Sequence, residues 1–208
     1  MPTRFPSIYI FDRVSKQDDF DALYALESMT NDRIRDETGQ IEMVPPEERL
    51  YGNGSGPIMA AFTHPNPLGS RFSDGSFGIF YAAREVETAI AETRHHSTNF
   101  LATTGEEPIR IQMRLYRVDV AGDVLDLRGA PISKPGVLSP TTYAESQPVG
   151  WQARNDGMAG LLYPSVRHAG GECVAALRTR ILRSCLHEGQ FEYHWNGKEI
   201  DYITRQVA

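Results

Sequence analysis

Five residues in this chain have the types and spacing that chemistry uses. Arg71 stands in a turn of small residues, GSRFSDGS, with Gly69, Ser70, Ser73 and Gly75 around it. A guanidinium among backbone amides suits a phosphate or carboxylate held bidentately. Tyr81 stands near the end of an apolar run and offers either a buried phenol or a ring to stack on a planar heterocycle. Glu92 and His96 are four residues apart, so they share one helix face. Ser165 follows Tyr163-Pro164 and precedes Val166-Arg167-His168.

Taken singly, each has an ordinary reading. Arg71 is a surface arginine, Tyr81 a core tyrosine, and Ser165 a turn serine. Glu92 and His96 are an exposed pair that contributes a few tenths of a kcal/mol. Ser165 is not in a G-x-S-x-G elbow, so a Ser165–His96–Glu92 hydrolase triad carries little weight.

The elements that must position these residues are a turn, a strand and a helix. Phe77–Ala83 alternates as a strand. Glu85–Ser97 places Val86, Ala89, Ile90 and Thr93 at helical spacing, with Glu85, Glu92 and His96 on the neighbouring stripe. Further strands are predicted at Ile109–Val120, with a bulge near Tyr116, and at Val124–Leu127, Gly160–Tyr163 and Cys173–Leu177. Ile181–His187 is a short amphipathic stretch. Phe191–Trp195, Asn196-Gly197 and Lys198–Ile203 read as a hairpin with a type I′ turn.

Upstream, Thr3–Phe11 reads as extended and Lys16–Met29 as a helix capped by Ser15. Thr30–Glu48 reads as a loop with one strand at Ile41–Val44. Gly52, Gly54 and Gly56 resemble a phosphate loop only loosely, because Pro57 follows and no Lys-Ser/Thr does; a flexible loop is the simpler reading. Gly129–Pro140 is a loop, and Tyr143–Asn155 a helix bent or broken at Pro148. Interspersed strands and helices predict α+β architecture: one mixed domain, residues 1–208, with a central antiparallel or mixed sheet. Residues 1–50 are expected to be an N-terminal extension packed on it.

The net charge of −6 and pI near 5.5 argue against direct nucleic-acid binding. No apolar run is long enough for a membrane span. The first residues lack a signal-peptide core, so a cytoplasmic location is expected. Cys173 and Cys185 are expected to be reduced, and no Cys/His spacing suggests a metal.

In order along the chain, these motifs resemble the RES domain, the toxin half of bacterial RES–Xre toxin–antitoxin systems. The family's G-G-R-W/F-N…G…Y-x-A segment is represented by GSRFSDGSFGIFYAA. Its A-x-x-E-x-x-x-H helix is represented by AIAETRHH, and its serine turn by YPSVRHAGGEC. Ser70 and Ser73 stand where the family has glycine and asparagine, and Cys173 where an asparagine often follows the serine turn. Tyr51 is placed at the family's early aromatic or arginine position.

The resemblance implies an ADP-ribosyltransferase-like fold and an enzyme that consumes NAD as substrate, without a metal. ADP-ribose would pass to water, phosphate or a protein target. It implies Glu92, Arg71 and Ser165 as catalytic residues, with Arg71, Tyr81, Ser165, Tyr51 and His96 binding NAD. It also implies a cognate Xre-type helix-turn-helix antitoxin as partner. Chemistry is compatible with these roles. Cleaving the nicotinamide–ribose bond passes through an oxocarbenium-like state that a carboxylate stabilises. The pyrophosphate needs a permanent cation, and nicotinamide an aromatic wall. Ser165 would hydrogen-bond the nicotinamide amide or the ribose. The alternative from another class is a non-catalytic protein-binding module, which requires no convergence of Arg71, Tyr81 and Glu92.

Overall fold

The Arg71 turn is held in place before any strand begins. In the computed structural model, which describes residues 11–21, 38–129 and 136–206, Ser70 N–H donates to Ser73 O at 2.7 Å and Ser73 Oγ donates to Phe77 O at 2.6 Å. Glycine is required at position 69: its φ is +77°, and a Cβ there would lie 2.7 Å from Ser73 O. From this turn the chain enters β1, Phe80–Ala83, shorter than the predicted Phe77–Ala83. Gly78 passes so close to helix α1, Ser55–Thr63, that its Cβ would meet Ala61 O at 2.3 Å. That contact takes the place of strand pairing.

Helix α2 follows, Val86–Thr104, longer than predicted and stopped at left-handed Gly105. Then come β2 (Ile109–Val120), β3 (Leu125–Asp126), α3 (Ser146–Asn155), β4 (Gly160–Pro164), β5 (Glu172–Ala176), β6 (Leu182–Trp195) and β7 (Ile200–Gln206). The strands divide between two sheets. One is mixed, in the order β1-β5-β4-β3, with β3 parallel to β4 and the other neighbours antiparallel. The second is antiparallel, in the order β2-β6-β7. The architecture is a single α+β domain, as predicted. Where one central sheet was expected, the strands form two.

Helix α2 joins them because its stripes differ. Thr88, Glu92 and His96 follow one another at i,i+4, and Thr88 and Glu92 bond to residues after β4. Ile90, Thr93, Arg94 and Leu101 turn to the second sheet. There Thr93 Oγ1 and Tyr193 OH share a 2.6 Å hydrogen bond, and Arg94 Nε donates to Ile200 O at 2.8 Å. Ile90 and Leu101 pack with Met113, Phe191 and Trp195.

Several local expectations are corrected. Ile41–Val44 is a 3₁₀ turn at Ile41–Met43 rather than a strand, because Met43 and Val44 N–H bond back to Gln40 and Ile41 O. Pro148 neither bends nor breaks α3. It falls in the first turn, where its missing N–H leaves no helical acceptor unfilled. Ile181–His187 is not a separate element but mostly the first half of β6. The bulge near Tyr116 is present, as a register shift between Leu115 and Tyr116. The terminal hairpin forms, but Trp195 pairs with Ile200, so the loop has four residues rather than two. Asn196 Oδ1 accepts from Lys198 and Glu199 N–H and closes it. Thr3–Ile10, most of the Lys16–Met29 helix and 130–135 lie outside the described residues; 17–21 are helical.

The glycine-rich segment is a helix start. Gly54 is left-handed, and Asp12 Oδ1 accepts from Gly56 N–H at 2.9 Å and Ser55 Oγ at 3.3 Å. An internal carboxylate thus occupies the N-terminus of α1. Phe11, Val14, Phe20 and Val44 share a core with Ile58, Met59, Phe62 and Leu182, which packs the described part of residues 1–50 on the rest.

Gly150 sets the distance between α3 and the Arg71 turn: a Cβ there would lie 2.0 Å from Phe72 O. Backbone cannot rotate away as a side chain can. Gly150→Ala is expected to destabilise the fold by about 1–3 kcal/mol, read as a fall of several degrees in Tm. An unchanged Tm would mean the helix shifts freely against the turn.

Candidate active site

Arg71 is 6% exposed. Its NH1 donates to Ser139 O at 3.1 Å and Val137 O at 3.4 Å, and its guanidinium carbon stands 5.0 Å from the Tyr143 ring centroid. Among the described residues no carboxylate lies within ion-pair distance of it. A buried cation with only carbonyls and a ring for company is costly and favours an arriving anion.

The turn that carries Arg71 is gripped from two sides. Tyr81 OH accepts from Phe72 N–H at 3.0 Å and shares a hydrogen bond with Ser70 Oγ at 2.9 Å. Gln147 Nε2 on α3 donates to Ser70 O and Ser73 O at 3.1 and 3.2 Å. Tyr81 therefore positions Arg71, a role the sequence did not suggest. Enclosure of the hydroxyl pushes its pKa up to about 12, while 38% of the residue stays exposed through the ring. One side chain fixes the turn with its oxygen and offers its ring to a ligand.

Glu92 projects from α2 with 18% of its side chain accessible. Its Oε1 accepts from Ser165 Oγ at 2.6 Å, a short charge-assisted bond. Ser165 follows β4, and its Oγ also accepts from the N–H groups of Arg167 and His168 at 3.1 Å. These bonds fix the hydroxyl so that its proton points to Glu92. No histidine takes that proton: His96 Nε2 is 3.8 Å from Glu92 Oε2, and His168 Nδ1 is engaged with Thr88 Oγ1 at 2.8 Å. The arrangement is a serine–carboxylate pair, not a hydrolase triad. His96 has a lowered pKa: burial is the largest cause, with Arg167 and Arg71 adding to it and Glu92 opposing. Since 56% of its side chain is accessible, that desolvation is partial.

A chain of contacts joins the Arg71 turn to the Glu92–Ser165 pair. The Phe72 and Tyr163 rings meet edge to face at 5.0 Å. Tyr163 pairs with Cys173 across β4 and β5, and Cys173 Sγ stands 4.0 Å from Glu92 Oε1. The fields of Arg71 and Glu92 both reach Tyr163 and Cys173. Arg71, Tyr81, Glu92, His96 and Ser165 are therefore brought to one place. Tyr51 is not: it packs against Phe11 and Phe20 in the N-terminal core and donates to Gln17 Oε1 at 2.7 Å. The sequence reading missed Tyr143, Gln147, Cys173's contact with Glu92, and Arg167. Arg167 and Cys173 lie within the serine-turn motif, which assigned them no part in the site, and Tyr143 and Gln147 belong to no motif and reach the site through tertiary packing.

A groove of about 1840 Å³ lies between α2, β1 and β2. It shares Tyr81 and Cys173 with this cluster but is not lined by Arg71, Glu92 or Ser165. Arg84, Arg128 and Glu172 charge the groove's own wall, where they pair with one another, while the buried cation and the serine–carboxylate pair lie with the cluster.

Cys173 and Cys185 are both free and buried. Burial above all, aided for Cys173 by the Glu92 charge and for Cys185 by the Asp12 charge, pushes each thiol from 9.0 to about 11. An unfolded thiol ionises first as pH rises, so their contribution to stability is complete below 9 and is lost between 9 and about 11. Iodoacetamide is expected to leave both unlabelled at pH 8 in the native chain. Rapid labelling of Cys173 at that pH would reveal an activated thiolate instead.

No helix among the described residues is long and apolar enough to cross a membrane. A protein of Sinorhizobium fredii described as "Uncharacterized protein y4oC" is 28% identical over 204 residues, covering 98% of this chain and 84% of that protein. Residues 47–196 match the RES domain. This stretch is well over half of the 208 residues and contains Arg71, Tyr81, Glu92 and Ser165 in order, so the chain belongs to the RES domain family.

Proposed function

We propose that the chain cleaves NAD at the nicotinamide–ribose bond and passes ADP-ribose to water, phosphate or a protein side chain. The observation that carries this reading is the fixed Glu92–Ser165 pair beside the buried, carboxylate-free cation of Arg71. Family membership supports an NAD-utilising enzyme in the coarser sense.

In the proposed reaction the C–N glycosidic bond breaks, and nicotinamide leaves with the bonding pair as a neutral ring. The ribose carbon becomes electron-poor, and the Glu92 carboxylate stabilises the positive charge that develops there. Ser165 keeps one carboxylate oxygen aligned and leaves the other for the substrate. Arg71 takes the pyrophosphate, and the exposed Tyr81 ring forms a wall for nicotinamide. The acceptor oxygen bonds to the ribose carbon and releases its proton to solvent. By family resemblance the chain is a toxin whose partner is an Xre-type helix-turn-helix antitoxin.

The acceptor is identified by incubating the protein with NAD labelled on its adenylate, in water, in phosphate buffer and with cell lysate. ADP-ribose, its 1-phosphate or a labelled protein band is the expected product. Intact NAD in all three would overturn the proposal.

A further inference from the structure

Arg71 is not the only guanidinium at this site. Arg167 lies two residues beyond Ser165, and its NH2 donates to Pro140 O. Arg71 NH1 donates to Ser139 O. The two cations therefore sit on adjacent carbonyls of one strap, at Cα positions about 3.8 Å apart along the chain. Arg167 Nε is enclosed and has no hydrogen-bond partner. Among the described residues no carboxylate lies within ion-pair distance of either arginine. Glu92, the acid that faces this region, is taken by Ser165. Two neighbouring guanidiniums repel each other, and carbonyl oxygens offset only part of that. An anion with negative oxygens on two centres would compensate both.

We propose that Arg167 is a second anion-binding residue that, with Arg71, selects a diphosphate-bearing ligand over a monophosphate. Arg71 holds one phosphoryl group from the buried side. Arg167, half-buried at the rim, holds the other with the outer N–H groups not used by Pro140. Burial, joined by the fields of Arg167 and Arg71 and opposed by Glu92, lowers the pKa of His95 and His96, so the two cations disfavour further positive charge beside them. The inference rests on the NAD reading for the identity of the ligand but not for the anion site itself.

The test is calorimetric titration of pyrophosphate, orthophosphate and ADP-ribose into the full chain and into Arg167→Gln, alongside nicotinamide-release kinetics. The unaltered protein is expected to prefer pyrophosphate to orthophosphate. Arg167→Gln is expected to weaken pyrophosphate and ADP-ribose roughly ten- to a hundredfold. It should raise KM for NAD by a similar factor and leave kcat within about twofold. Arg167→Lys, which keeps the charge without the fork, is expected to fall between them and decides the matter if the glutamine variant does not fold. A purely structural latch would lower kcat and Tm without a selective loss of diphosphate. Unchanged pyrophosphate affinity in Arg167→Gln, or KM indifferent to it in a protein that releases nicotinamide, overturns this inference alone. Arg167-dependent pyrophosphate binding by a chain that releases no nicotinamide supports the anion site and overturns the NAD reading.

Discussion

Arg71→Met is expected to lower kcat/KM for NAD by roughly 10²–10³-fold while moving Tm by no more than a few degrees. The two halves of that result come from one fact. Arg71 is 94% enclosed, taking its 6% exposure from the whole, and has no carboxylate partner. Removing it takes away the cation that a pyrophosphate would meet, and a buried charged hydrogen bond of that kind is worth several kcal/mol to a bound anion. Removing it also relieves the folded protein of an uncompensated charge, which offsets the loss of its bonds to Val137 O and Ser139 O. An arginine kept for structure behaves in the opposite way, with a large fall in Tm and catalysis surviving in the folded fraction. Thermal denaturation and NAD kinetics on the same preparation separate the two.

Glu92→Gln is expected to reduce kcat by roughly 10²–10³-fold with little change in Tm or in affinity for ADP-ribose. The amide has the shape of the carboxylate, and its oxygen still accepts from Ser165 Oγ, which now lies 2.6 Å from Glu92 Oε1. Only the negative charge is lost, and in the proposed reaction that charge acts where the ribose carbon turns positive in the transition state. A loss of ADP-ribose affinity with kcat intact would make Glu92 a binding residue and move the charge stabilisation elsewhere.

The parts of this site that were legible in the sequence are those that local chemistry dictates. The Arg71 turn is visible because its neighbours are small. The Glu92 helix is visible because Ala89, Ile90 and Thr93 recur at helical spacing, and β2 because Ile109, Ile111, Met113 and Leu115 alternate with polar residues. The bulge at Tyr116 showed as a change of phase. What stayed hidden depends on residues far apart in the chain. Tyr81's hold on Ser70 and Phe72 needs the turn to fold back over β1. Tyr143, Gln147 and Arg167 reach the site only after α3 and the strap pack against that turn, and Gly150 marks the contact without any motif of its own. The two-sheet division was hidden for a related reason. Strand patterns report which residues alternate, not which strands they pair with, and only α2's two differing stripes hint that one helix serves both sheets. Tyr51 shows the limit of placing a residue by order in a motif: its neighbours Leu50 and Met59 carry it into the N-terminal core.

Whether this cluster breaks the nicotinamide–ribose bond can be read directly from the products. The most direct measurement is chromatographic release of nicotinamide when the purified, unaltered chain is mixed with NAD, repeated with phosphate and with cell lysate to supply acceptors. Nicotinamide is expected to appear in step with NAD loss, with none above background from Glu92→Gln under the same conditions. No release by the unaltered chain under any of the three, or equal release by the Glu92→Gln protein, would contradict it.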